Sequence, residues 1–196
     1  MFSQDTIAFM LTGLAILATG IPFVKGFRVC LRCWSATRRV DAGSLRHAGS
    51  TPPPRGETEP LALLMMRILR KSLKDGEVEH SPDFVYDATR QYVMNEYETN
   101  YTRLITMFGS LLPPVGFVGT TCAMLMRFLS MAAAGSTIEF GALALALTST
   151  VFALSGFSIL EGLKILLYRR LLVALRDVQL LFDEADQRRE AKRSAA

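Results

Sequence analysis

The sequence predicts an all-α integral membrane protein with three transmembrane helices, the second and third extended into the cytoplasm. Three observations carry that reading. Uncharged apolar runs occur at Thr6–Val24 (19 residues), Leu104–Met126 (23 residues) and Phe140–Leu160 (21 residues). At about 1.5 Å of rise per residue, such runs match the thickness of a bilayer core. Half of the chain is apolar and the mean hydropathy is +0.26, so its 22 basic and 18 acidic residues must lie largely outside the runs, and they do. Lys and Arg also gather on one side of the runs, which sets a direction.

The first run is followed by Lys25, Arg28, Arg32, Arg38, Arg39 and Arg46 and preceded only by Asp5. This predicts an N-terminus outside and residues 25–103 in the cytoplasm. A signal peptide would carry its positive charge before the apolar core and small residues at a cleavage site after it. Gly20-Ile21-Pro22 offers no such site, so the run reads as an uncleaved anchor. The connection from Arg127 to Glu139 holds one basic and one acidic residue and is expected outside. Lys164, Arg169, Arg170 and Arg176 place the C-terminus inside. The organisation that follows is a first transmembrane helix over 1–24 and a cytoplasmic region over 25–103. The second and third spans occupy 104–170, and a cytoplasmic helix and tail occupy 171–196.

Within the cytoplasmic region, residues 41–60 are rich in Pro, Gly, Ser and Thr and read as a flexible linker. Thr58 and Pro60 predict the start of a short helix ending before Gly76, with Leu61, Leu64, Met65 and Ile68 on its apolar face. Ser81-Pro82 predicts an N-cap and first helical residue. The helix that follows can run unbroken into the second span, with Phe84, Ala88, Tyr92 and Asn95 on one stripe. Beyond the third span, Leu171, Leu175, Val178 and Phe182 share a helical face.

Leu104–Met126 is an unusual span. It carries Pro113, Pro114, Gly116 and Gly119, then Thr120 and Thr121. Small residues let neighbouring helices approach closely, and hydroxyls in lipid need partners. The diproline removes two backbone donors and predicts a kink or local unwinding. Pro113, Gly116, Thr120, Met124 and Arg127 fall on one face. Either Thr120 lines a pathway or its hydroxyl bonds back to the carbonyl four residues earlier.

On the third span Glu139, Thr150 and Glu161 stand eleven residues apart. Eleven residues advance about 20° beyond three full turns and rise about 16.5 Å, so all three lie near one face. One reading is a polar ion track, with Glu139 at the outer boundary, Thr150 near mid-membrane and Glu161 near the inner boundary. The other is a pair of interfacial glutamates that snorkel or pair with Arg127 and Lys164. Thr148 lies about 200° from Thr150, so Thr148 and Thr121 are candidates for bonding neighbouring helices.

The segment PPVGFVGTTCAMLMRF resembles the second transmembrane helix of the MotA/TolQ/ExbB proton-channel family. Pro114, Gly116, Gly119 and Thr120 match that pattern in order and spacing, with Thr121 where Val is usual. The third span is similar to the family's third helix, with Thr150 at its Thr, Ala153-Leu154 in place of Gly-Leu, and Ile159 where Pro stands. The layout of three spans, large cytoplasmic loop and small outer loop is like the ExbB/TolQ branch. The resemblance implies a ring in the bacterial inner membrane, usually a pentamer, with the N-terminus periplasmic. It would enclose single-span partners of the ExbD/TolR kind, whose membrane Asp takes up and releases the proton while ring threonines face it. Proton flow would then drive an envelope process. The alternative is a non-conducting membrane scaffold of an envelope complex. Hydroxyl oxygens can also ligate sodium, so the ion is proton first and sodium second.

Other chemistry finds little support. The net charge of +4 comes from basic residues beside the spans, where they meet anionic lipid, and no nucleic-acid motif accompanies them. Cys30-x-x-Cys33 lacks a second pair for zinc, although nearby arginines can lower a thiol's pKa. His47 and His80 lie in polar stretches and Cys122 in a span. No nucleophile triad or phosphate loop appears, so neither an enzyme nor a cofactor is expected.

Overall fold

The computed structural model describes residues 4–47, 59–74, 81–134 and 140–194, and all regular structure among them is helical. Helix α1 is Gln4–Ala36, α2 is Ala42–His47, α3 is Leu61–Lys74 and α4 is Pro82–Tyr97. A π-helical turn, Glu98–Thr102, joins α4 to α5 (Arg103–Ala134), and α6 is Phe140–Ser194. Two stretches of the described residues, Pro82–Leu125 and Leu147–Arg188, are long and apolar enough to cross a membrane. Helix α1 extends twelve residues past the first apolar run. Thr58, Gly76, His80, Glu139 and the 48–58 part of the linker lie outside the described residues.

The chain divides into two compact units, Met1–Cys30 with Arg103–Lys164, and Leu31–Thr102 with Ile165–Ala196. In the first, α1, α5 and α6 pack through small residues. A Cβ on Gly26 would lie 2.9 Å from Leu160 Cδ1 and 3.3 Å from Phe108 Cβ. One on Gly156 would lie 3.1 Å from Phe23 and 3.4 Å from Leu112. Glycine at these crossings is therefore what lets the three helices approach. Helix α5 continues through Pro113-Pro114 without interruption, so the expected unwinding does not occur.

In the second unit Ser81 caps α4 as expected, its side chain accepting from Phe84 N at 3.4 Å with Pro82 in the first turn. Helix α4 buries Tyr86, Thr89, Val93 and Tyr97, while Phe84 and Tyr92 are exposed. The stripe read from the sequence thus points outward. The opposite face wins because its aromatics meet α6, Tyr86 against Phe182 (5.2 Å between centroids) and Tyr97 against Tyr168 (6.3 Å). On α3 the deepest residues are Leu61, Ala62, Met65 and Leu69, a face turned by about one position from the expected one. Helix α6 buries Leu171, Leu175 and Val178 and half-buries Phe182.

The stretch read as a linker holds structure at both ends. Asp41 starts α2, accepting from Gly43 N through its carboxylate (3.2 Å) and from Leu45 N through its carbonyl (3.0 Å), and Leu45 is buried. Glu59 pairs with Arg67 at 2.7 Å. Cys30 and Cys33 are also buried, and burial pushes the Cys30 thiol above its ordinary range rather than lowering it. A maleimide added to the folded protein in detergent is therefore expected to modify the exposed Cys122 and to reach Cys30 and Cys33 only after denaturation. Rapid labelling of Cys30 in the native protein would refute this.

Candidate functional site

The site is built where α5 crosses α6 in the first unit. Contacts run in opposite directions along the two helices. Thr120 meets Thr150, Gly116 meets Ala153, Leu112 meets Gly156 and Thr106 meets Lys164, so the helices are antiparallel. The residues of α5 on this seam are Thr106, Gly109, Leu112, Gly116 and Thr120, most of them small.

Gly116 is the closest approach. A Cβ there would sit 2.5 Å from Ala153 Cβ, 3.2 Å from Thr150 Cα and 3.3 Å from the Ser149 carbonyl oxygen. Its missing side chain also uncovers its carbonyl. Thr120 Oγ1 donates to that oxygen at 3.1 Å, Thr150 Oγ1 at 3.2 Å and Ser149 Oγ at 3.3 Å. The Thr120 and Thr150 hydroxyls also contact each other. A carbonyl oxygen has two lone pairs, so three hydroxyl hydrogens cannot all point at it together. At any moment at least one is turned to another oxygen. Thr120 and Ser149 are buried and Thr150 is half-buried.

A second polar crossing lies fourteen residues away on each helix. Lys164 Nζ donates to Glu161 Oε1 at 2.7 Å and to Thr106 Oγ1 at 3.4 Å, which links α6 to α5. Four turns separate it from the hydroxyl cluster, about 21 Å along either helix. Glu161 and Lys164 are both half-buried.

The structure brings Thr120 and Thr150 together and places Glu161 at the other crossing. Thr121 is exposed on a different face, where its hydroxyl bonds back to the carbonyls of Phe117 (3.1 Å) and Val118 (3.0 Å). Gly119 and Pro113 are half-buried and Pro114 is exposed. Glu139 lies outside the described residues. Sequence reasoning missed Ser149 and Thr106. Thr106 had a signal, since fourteen residues put it about 40° from Thr120 on the same helical face.

Among the described residues no group of three or more His, Cys, Asp or Glu side chains is placed to hold a metal.

A comparison with curated proteins finds no match. The model of the MotA/TolQ/ExbB proton channel family matches residues 61–161, just over half of the chain, and that stretch includes Gly116, Thr120, Thr150 and Glu161. The chain belongs to the MotA/TolQ/ExbB proton channel family, membrane proteins that serve as ion-driven motor subunits rather than as enzymes.

Proposed function

We propose that this chain is the ring-forming subunit of a proton-driven motor in the bacterial inner membrane, working with single-span partners that each carry a membrane aspartate. The observation that supports the reading is the convergence of three hydroxyls on the Gly116 carbonyl. A carboxylate brought into a membrane is costly unless it is hydrogen-bonded. A hydroxyl can donate to the ionised form and accept from the protonated form. Because the cluster holds more hydroxyl hydrogens than the carbonyl can take, it can turn one toward an incoming carboxylate without leaving Gly116 unsatisfied. Thr120 and Thr150 are the facing residues in this proposal. Glu161, with Lys164 and Thr106, forms the inner end of the pathway. Thr121 and Glu139 belong to its outer surroundings. Pro113, Pro114, Gly116 and Gly119 shape the packing.

The same reading makes α1 the first of three spans, with the N-terminus periplasmic, the C-terminus cytoplasmic and the basic residues just after Val24, Lys25 and Arg28, beside anionic lipid. A second reading, a non-conducting scaffold, draws on the fact that each hydroxyl already has a protein partner.

Native mass spectrometry of the full chain in mild detergent tests the assembly. A closed homo-oligomer, most simply of five, is expected to bind the Asp-bearing partner. A stable monomer overturns the ring. Cysteine labelling in intact cells is expected to reach a site engineered at Gly135 and not one at Gly49, positions that both lie outside the described residues. The reverse result inverts the topology.

A further inference from the structure

We propose that the exposed face of α4 is the docking surface for the end of α1 in a second copy of this chain. The inference rests on the ring reading above and names the surfaces that close the ring.

Both faces lie in the second unit, and each leaves large apolar groups uncovered among charges. Near the end of α1, Leu31 and Trp34 are 56% and 47% exposed. Arg32, Arg38 and Arg39 are exposed beside them. On α4, Tyr92 is 53% exposed, with Ala88 and Asn95 on the same stripe. Asp87 and, in the π-helical turn, Glu98 are exposed at its edge. An acidic rim disqualifies anionic lipid as the cover for the α4 face. An aromatic centre with a charged rim is the make-up of a protein interface. One rim is basic and the other acidic, so each face fits the other and neither fits itself. A contact between two different patches of identical chains is heterologous, and heterologous contacts form a ring when the rotation between copies closes, as the ring reading requires.

Height supplies the second argument. Copies in a ring are related by rotation, so residues that meet must lie level along the ring axis. Helix α6 serves as the ruler for both faces. Trp34 lies under the Arg170 guanidinium (3.8 Å to the ring centroid), and Arg39 reaches Asp177 at 3.8 Å. Tyr97 stacks near Tyr168 and Tyr86 near Phe182. Arg32, half a turn before Trp34, and Glu98, next to Tyr97, are therefore both level with about residue 168 of α6. Tyr92, about 7.5 Å along α4 from Tyr97, falls between the levels of Trp34 and Arg39. Asp87 lies within reach of a long basic side chain at the level of Arg39. Charges thus face opposite charges at shared heights, and Tyr92 lies within one helical turn of the level of Trp34.

The test is charge reversal read by native mass spectrometry of the full chain. Arg32→Glu alone and Glu98→Arg alone are each expected to reduce the oligomer fraction at least tenfold, with helix content by circular dichroism unchanged. The double variant is expected to restore it. Co-expression of the two single variants is also expected to restore mixed oligomers in part, because alternating variants match every contact but one in a ring of five. A pair within one chain gives no such rescue. Oligomers that persist in both single variants overturn the inference while leaving the ring reading intact. So does a double variant that stays dissociated. So does unchanged assembly with loss of the single-span partner, which assigns the face to that partner. A monomeric wild type removes both readings together.

Discussion

Replacing Thr120 and Thr150 together by valine is expected to reduce ion-driven activity by about a hundredfold or more while assembly is retained. Valine keeps the β-branched shape and deletes only the hydroxyls. A hydrogen bond to a charged group contributes about 1.5–3 kcal/mol. Each 1.4 kcal/mol is a factor of ten in rate, so two such bonds lost from the aspartate of the proposed partner give at least that reduction. Folding has less to lose. The Gly116 carbonyl keeps the Ser149 hydroxyl, so no buried acceptor is left bare. Proton flux into vesicles holding the ring and its partner, under an imposed potential, is the measurement. Repeating it with the sodium concentration varied separates the two ions. A double-valine protein with normal flux would mean that the hydroxyls serve only the helix crossing, as the scaffold reading requires. Glu161→Gln is the companion at the other crossing. It keeps a carbonyl oxygen for Lys164 but removes the charge, so slowed flux with the ring intact supports an inner pathway end and unchanged flux reduces Glu161 to an anchor.

What the sequence made legible follows how local each feature is. The Ser81-Pro82 start of α4 depends on a few adjacent residues and could be read directly. The seam of Leu171, Leu175 and Val178 depends on one helical period. Helix α4 has two stripes that satisfy that period, and only the identity of its neighbour decides between them. Tyr168 and Phe182 on α6 select the Tyr86–Tyr97 side. The Cys30 thiol went the same way, because the adjacent arginines are visible in sequence and burial is not. Nothing local announces the π-helical turn at Glu98–Thr102. At the candidate site the sequence marks Thr120 and Thr150 separately, each from its own helix. Their contact is a matter of register between helices. That register is also what adds Ser149 to the cluster and joins Thr106 to Lys164.

The largest structural effect is expected from a side chain at Gly116. The nearest atom to a Cβ there would be 2.5 Å away, closer than two carbons can sit, and the next two atoms are backbone atoms of α6 at 3.2 and 3.3 Å. Neither a rotamer change nor a flexible side chain can relieve that contact, so α5 and α6 must part. Overpacking of this kind costs about 1–3 kcal/mol. Separation would also draw the Ser149 and Thr150 hydroxyls away from the Gly116 carbonyl, so stability and activity fall together. The controls lie on the same two helices. A Cβ on Gly109 meets Phe157 at an ordinary 3.8 Å, and one on Gly162 meets nothing within 4 Å. At those sites alanine relieves the entropic cost of a helical glycine, about 0.5–1 kcal/mol. Thermal unfolding in detergent should therefore order the variants with Gly116→Ala well below the parent and Gly109→Ala and Gly162→Ala at or above it. A Gly116→Leu variant should fall further still and lose proton flux. Equal melting temperatures for Gly116→Ala and Gly109→Ala would mean that the helices do not meet at Gly116, and the hydroxyl cluster built on that meeting would fall with it.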